Sequence, residues 1–85
     1  MVNFQSDMTR FHIQYTRHAL SALKERSLSK ELVELAVRGA DWKEAASGEV
    51  WCAFKRIGRK VLRVVVKGKR EPLTVITAYY DRRKI

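Results

Sequence analysis

The sequence predicts an α+β domain in which two N-terminal helices pack on a three- to four-stranded antiparallel sheet. Two patterns and one bound lead there. The last third of the chain holds three apolar β-type segments, 49–56, 60–67 and 72–80, joined by two short turns. Ahead of them, residues 17–38 carry two apolar stripes at helical spacing, each preceded by a hydroxyl residue suited to capping. Finally, 85 residues leave room for one domain and one core.

Taken in order, residues 1–9 read as a flexible lead, and Arg10 to Tyr15 alternates loosely. Phe11, Ile13 and Tyr15 fall on one side, His12 and Gln14 on the other, which suits a short strand able to add to an edge of the sheet. Thr16 is a candidate cap for a helix over Arg17 to Glu25, with Ala19, Leu20, Ala22 and Leu23 as its apolar stripe. Ser27-Leu-Ser29 breaks that helix. Ser29 caps the next, Lys30 to Arg38, which offers Leu32, Val33, Leu35, Ala36 and Val37 for burial. Glu34 and Arg38 stand four apart in the favourable order, and Gly39 is expected as a left-handed stop. Each helix is too short to be stable alone, so both must dock.

Residues 40–48 read as a loop, with Trp42 folding back as a lid on the core edge. The three strands then follow, turning at Ile57-Gly58-Arg59 and again at 68–72, with Pro72 at a strand start where a missing N–H is tolerated. Residues 81–85 are expected to fray, within a single domain spanning 1–85.

Strand alternation separates two faces. In the middle strand Leu62, Val64 and Val66 form a wholly apolar set for the helices, and Ile76 and Ala78 are assigned to the same core. The opposite face then gathers Arg63, Lys67, Thr77 and Tyr79. A one-residue slip of register exchanges Tyr79 with Tyr80. The competing reading of this face is an ordinary solvated surface of good strand formers.

Charge is uneven along the chain. Residues 1–48 hold seven basic and six acidic side chains, whereas residues 49–85 hold eleven basic and three acidic, within a formal net charge of +9. A single-sign field over one half of a domain suits an anionic partner, either RNA or an acidic protein. Arg17, Lys55, Arg56, Lys67 and Arg82 are the candidate nucleic-acid contacts. The lone Cys52 excludes an internal disulfide and reads as a small buried hydrophobe. No secretion signal or membrane-length apolar run is visible, so the expectation is a cytoplasmic chain, monomeric or weakly dimeric, away from membranes.

The sequence shows no paired metal-ligand spacing, Gly-rich phosphate loop or nucleophile elbow, and no metal or cofactor is expected. His18 stands in the first turn of the first helix, where the dipole and Arg17 disfavour its protonated form. A neutral imidazole there can act as a general base; the plainer reading is a histidine packed at the helix edge. Metal-free RNA cleavage needs a base for the 2′-OH, cations for the phosphate and an acid for the leaving oxygen. His18, Arg63 or Lys67, and Tyr79 supply those types, with Thr77 as a hydrogen-bond donor.

The stretches Tyr15-Thr-Arg-His-Ala19, Glu25-Arg-Ser-Leu-Ser29 and Val75-Ile-Thr-Ala-Tyr79 resemble an uncharacterised family of small prokaryotic domains. That family is marked by a His-Ala helix start, an Arg-Gly-Ile-Ser-like turn and a final Val-x-Thr-x-Tyr strand. Ser27 stands where the turn usually has Gly. In layout the family is similar to the RelE/ParE and BrnT toxins and to the barnase–EndoU–colicin–RelE ribonucleases. The resemblance implies a RelE-like fold and His18, Arg63 (or Lys67), Thr77 and Tyr79 as catalytic residues of a metal-independent endoribonuclease. It also implies an acidic antitoxin as partner. The alternative is a non-catalytic module of the same fold that binds RNA, or that binds a protein through Trp42, Trp51 and a sheet edge.

Overall fold

The computed structural model describes residues 12–82. The expected lead over 1–9 and the end of the tail, 83–85, lie outside the described residues, as do Arg10 and Phe11. The elements run β1 (Ile13–Tyr15), α1 (Arg17–Glu25), α2 (Lys30–Arg38), β2 (Trp42–Ser47), β3 (Val50–Ile57), β4 (Lys60–Lys67) and β5 (Leu73–Tyr80).

Both helices begin where a hydroxyl takes up an orphan backbone donor. Thr16 Oγ1 accepts from Ala19 N at 2.9 Å, and Ser29 Oγ accepts from Leu32 N at 3.0 Å. Glu31 adds negative charge in the first turn of α2. Between the helices Ser27 adopts a positive φ of 55°, the backbone position that a glycine fills without strain. Gly39, expected to be left-handed, has φ −118° and ends α2 through its N–H to Leu35 O at 2.7 Å. The helices bury Ala19, Ala22 and Leu23, and Val33, Ala36 and Val37. Leu20 and Leu35, expected inside, stay 43% and 48% exposed because they fall beside the docking stripe rather than in it. Glu34 takes the Tyr15 hydroxyl at 3.1 Å, tying α2 to β1.

The sheet has five strands in the order β1-β5-β4-β3-β2, not three or four, and it is mixed. β1 runs parallel to β5, pairing Ile13 to Leu73 and Tyr15 to Val75; all other neighbours are antiparallel. A parallel pair is allowed here because two helices and three strands separate β1 from β5 in the chain. The stretch expected to be a loop supplies β2, a polar edge strand whose half-exposed pattern hides its pairing. The β3–β4 reversal at Gly58-Arg59 needs a positive φ of 64° at Gly58, which explains the glycine.

One irregularity decides the faces of β5. Val66 pairs with Val75 and Val65 with Thr77, so Ile76 is an extra residue in a bulge. Leu73 and Val75 therefore face the helices before the bulge, and Ala78 and Tyr80 face them after it. Strict alternation had placed Ile76 in the core and Val75 opposite; instead Val75 is fully buried and Ile76 only half-buried. The main core lies between the helices and Leu62, Val64, Val66, Val75 and Ala78. A second cluster of Cys52, Phe54 and Val61 lies on the far face of the sheet, with Trp42 and Val65 against it. Asp81, expected in a fraying tail, is 3% exposed, and its N–H bonds Val61 O at 2.9 Å.

Candidate nucleic-acid interface

The far face carries a transverse row that register alone assembles. Trp42 pairs with Phe54, Phe54 with Arg63 and Arg63 with Tyr79, so one residue from each of β2, β3, β4 and β5 stands in line. Trp42 stacks flat on Phe54, with centroids 4.9 Å apart and planes at 3°. It is thus a layer over the far face rather than a lid on the helix-side core. Arg56 lies 5.1 Å above Trp42, and the Arg63 guanidinium lies 5.2 Å from Phe54 and 5.9 Å from Tyr79.

Arg63 is anchored twice more. Its Nη1 donates to Asp81 Oδ2 at 2.8 Å and its Nε to Cys52 Sγ at 3.4 Å. The Cys52 sulfur and the Asp81 carboxylate, outweighing the cost of burial, hold the guanidinium in its charged form well beyond the ordinary arginine range. Arg63 is therefore committed to internal partners, and its charge is largely neutralised where it stands.

The other predicted site residues separate as follows. Thr77 and Tyr79 share the far face with Arg63, and Lys67 stands exposed farther along β4 on that face. His18 is exposed in the helix layer, with Arg17 beside it at the start of α1. Its turn is fixed to β5 by Thr16, whose N–H bonds Val75 O at 3.1 Å and whose hydroxyl bonds Ile76 O at 3.3 Å. This tether brings the helix start to the bulge that precedes Thr77. Among the described residues no hydrogen bond joins His18 to Arg63, Thr77 or Tyr79. Lys55 stands 3.7 Å from Asp41, whose other carboxylate oxygen accepts from Arg56 N at 2.8 Å. That backbone hydrogen bond, with Lys55 and Arg56 nearby, lowers the Asp41 carboxyl below its usual range.

Arg82 belongs to a different group. A cleft of about 340 Å³ opens at the end of the sheet, lined by Arg26, Lys60, Val61, Tyr79, Tyr80, Asp81 and Arg82. The Lys60 ammonium sits 4.9 Å over the Tyr80 ring. Arg26 and Lys60 had no place in the expected site, and Tyr80 entered it only as the register alternative to Tyr79. Lys60 and Tyr80 were within reach of sequence reasoning, because an antiparallel β4–β5 hairpin must set the start of one strand beside the end of the other. Arg26 required the direction of α1 along β5, which no pattern reveals. Among the described residues no three His, Cys, Asp or Glu side chains gather as a metal site would need. No helix among them is long and apolar enough to cross a membrane.

Two helices on one face of a five-stranded mixed sheet, with aromatic and basic groups on the other face and at its end, define a small α+β domain. The chain belongs to the family described as Domain of unknown function (DUF4258), whose model matches residues 15–80, from β1 to the end of β5. No curated protein and no solved structure matches it. The comparisons thus carry no likeness to the RelE/ParE or BrnT toxins, and the topology described above is not specific to them.

Proposed function

We propose that this domain binds RNA through the basic and aromatic groups at the β4–β5 end of its sheet. The observation that carries this reading is the company of exposed cations and tyrosine rings around one cleft. Arg26, Lys60 and Arg82 are all exposed there, and Tyr79 and Tyr80 are half-exposed beside them. The acid in the lining, Asp81, is already engaged by Arg63. Phosphates are attracted by such a field, and bases stack on rings without regard to sequence. Fluorescence anisotropy with a labelled single-stranded RNA tests it. The logarithm of affinity should fall steeply with the logarithm of salt concentration, by roughly 0.7 per phosphate engaged. A flat dependence, or no binding at low salt, overturns it.

A second reading, metal-independent cleavage of the bound RNA with His18 as base, is favoured by the Thr16 tether that holds the first turn of α1 against β5. Against it stands the commitment of Arg63 to Asp81 and Cys52, which leaves phosphate stabilisation to Lys67 or to the cleft cations. Incubation of RNA with pure protein in EDTA separates the two readings. Cleavage that His18→Ala abolishes supports a nuclease, whereas intact RNA under conditions of saturated binding leaves a binding module.

A further inference from the structure

We propose that the cleft at the end of β4 and β5 holds a single unstacked nucleotide, its phosphate between Arg26, Lys60 and Arg82 and its base against Tyr80; this rests on the RNA-binding reading above. Three features set the ligand class.

The first is size. About 340 Å³ lies at the small end of ligand sites, which run from about 300 to 1,000 Å³. That is room for one nucleotide and not for two stacked ones.

The second is charge. The three cations come from three different elements: Arg26 from the C-cap of α1, Lys60 from the start of β4 and Arg82 from the residue after Asp81. A helix C-terminus ordinarily repels an anion, but this one is closed. Arg26 N bonds Ala22 O at 3.0 Å, Ser27 N bonds Lys24 O at 3.3 Å and Leu28 N bonds Leu23 O at 2.9 Å. The Ala22, Leu23 and Lys24 carbonyls are thus taken up by backbone donors, and Arg26 brings a positive side chain to this end of the helix. Asp81 is buried, with its Oδ2 on Arg63, so it does not present a bare carboxylate to the phosphate.

The third is the ring. Lys60 now covers Tyr80 as a cation–aromatic pair, worth about 0.5–1 kcal/mol at an exposed site. A base on an aromatic ring is worth about 1–3 kcal/mol. Exchange is therefore favourable: the base takes the ring and the flexible Lys60 swings onto the phosphate. An acidic peptide would use the cations but gain nothing from the ring.

The test uses the full chain and four probes: fluorescein-labelled octauridylate, its duplex with octaadenylate, uridine 5′-monophosphate and an oligoglutamate peptide. Single strand should bind about tenfold or more tighter than duplex at 0.1 M salt. Uridine 5′-monophosphate should displace it, and oligoglutamate should do so more weakly. Lys60→Ala/Arg82→Ala should lose about tenfold in affinity and flatten the salt slope by roughly 0.7, since together these cations hold the one phosphate in the cleft. Lys69→Ala/Arg70→Ala, in the β4–β5 turn at the opposite end of the sheet, should lose less than about threefold. All four positions are exposed, so the variants keep the fold, which circular dichroism verifies. If RNA binds but the Lys60/Arg82 variant equals wild type, the cleft proposal is overturned and RNA binding elsewhere stands. Equal affinity for duplex, or stronger competition by oligoglutamate, overturns it in the same way. If wild type binds no RNA at low salt, the RNA-binding reading itself falls.

Discussion

Arg63 and Lys60 lie three residues apart on β4, and each sits over a tyrosine of β5. Their environments are opposite. Arg63 is closed in by Phe54, Tyr79, Cys52 and Asp81, with its side chain 21% exposed. Lys60 rests on Tyr80 with its ammonium in solvent, beside two more exposed cations. A planar guanidinium with five fixed donors suits the first role, because it can stack and bond in plane at once. A mobile ammonium suits the second. The lesson is that a cation over a ring is either a fastening or a contact, and the presence of a buried acid decides which. Asp81 makes Arg63 part of the fold, and by taking up that charge leaves Lys60 and Arg82 as the available ones.

The comparison can be broken in several ways. Phe54→Ala removes the fully buried floor on which Trp42 and Arg63 both rest, and should cost about 3–5 kcal/mol in urea unfolding. A loss below about 1 kcal/mol would mean the far-face row is not part of the structure. Next, Arg63→Met should destabilise by about 2 kcal/mol, because it takes a 2.8 Å ion pair from a carboxylate 3% exposed, though partial exposure of Arg63 trims the effect. Lys60→Met should change stability by no more than about 1 kcal/mol, the worth of its exposed contact with Tyr80. Equal effects at the two positions would erase the distinction.

Ser27→Gly relieves a left-handed residue but loosens the unfolded chain, for a net gain of up to about 1 kcal/mol and no change in RNA affinity. The smallest effect belongs to Asp41. Its folded carboxyl is more acidic than its unfolded one, so its contribution is full above about pH 4 and is lost as pH falls through the lower folded value. The stability gap between wild type and Asp41→Asn should therefore narrow as pH falls below about 4; a gap that stays constant contradicts the assignment.

Much of the helix side was legible in the sequence, because caps and apolar stripes are local signals. Thr16 and Ser29 begin their helices as expected, and the stripe of Leu62, Val64 and Val66 names the bed on which the helices lie. The rest depended on partners distant in the chain. β2 was hidden because an edge strand with polar outward residues has no apolar alternation. The bulge at Ile76 was hidden because alternation carries no marker for one extra residue, and that residue decides whether Val75 or Ile76 is core. Arg63, Thr77 and Tyr79 could be grouped from alternation. That Arg63 would be held by Asp81 could not, since Asp81 lies just beyond the last strand and reads as the start of a charged tail.

The most direct measurement is a titration of ¹⁵N-labelled protein with uridine 5′-monophosphate, followed by amide chemical shifts. Shifts concentrated at Arg26, Lys60, Tyr79, Tyr80 and Arg82, with Lys43, Trp51 and Lys69 at the opposite end unmoved, are the expected result. Shifts centred on that opposite end, or none at millimolar nucleotide while single-stranded RNA still binds, would contradict a nucleotide site in the cleft.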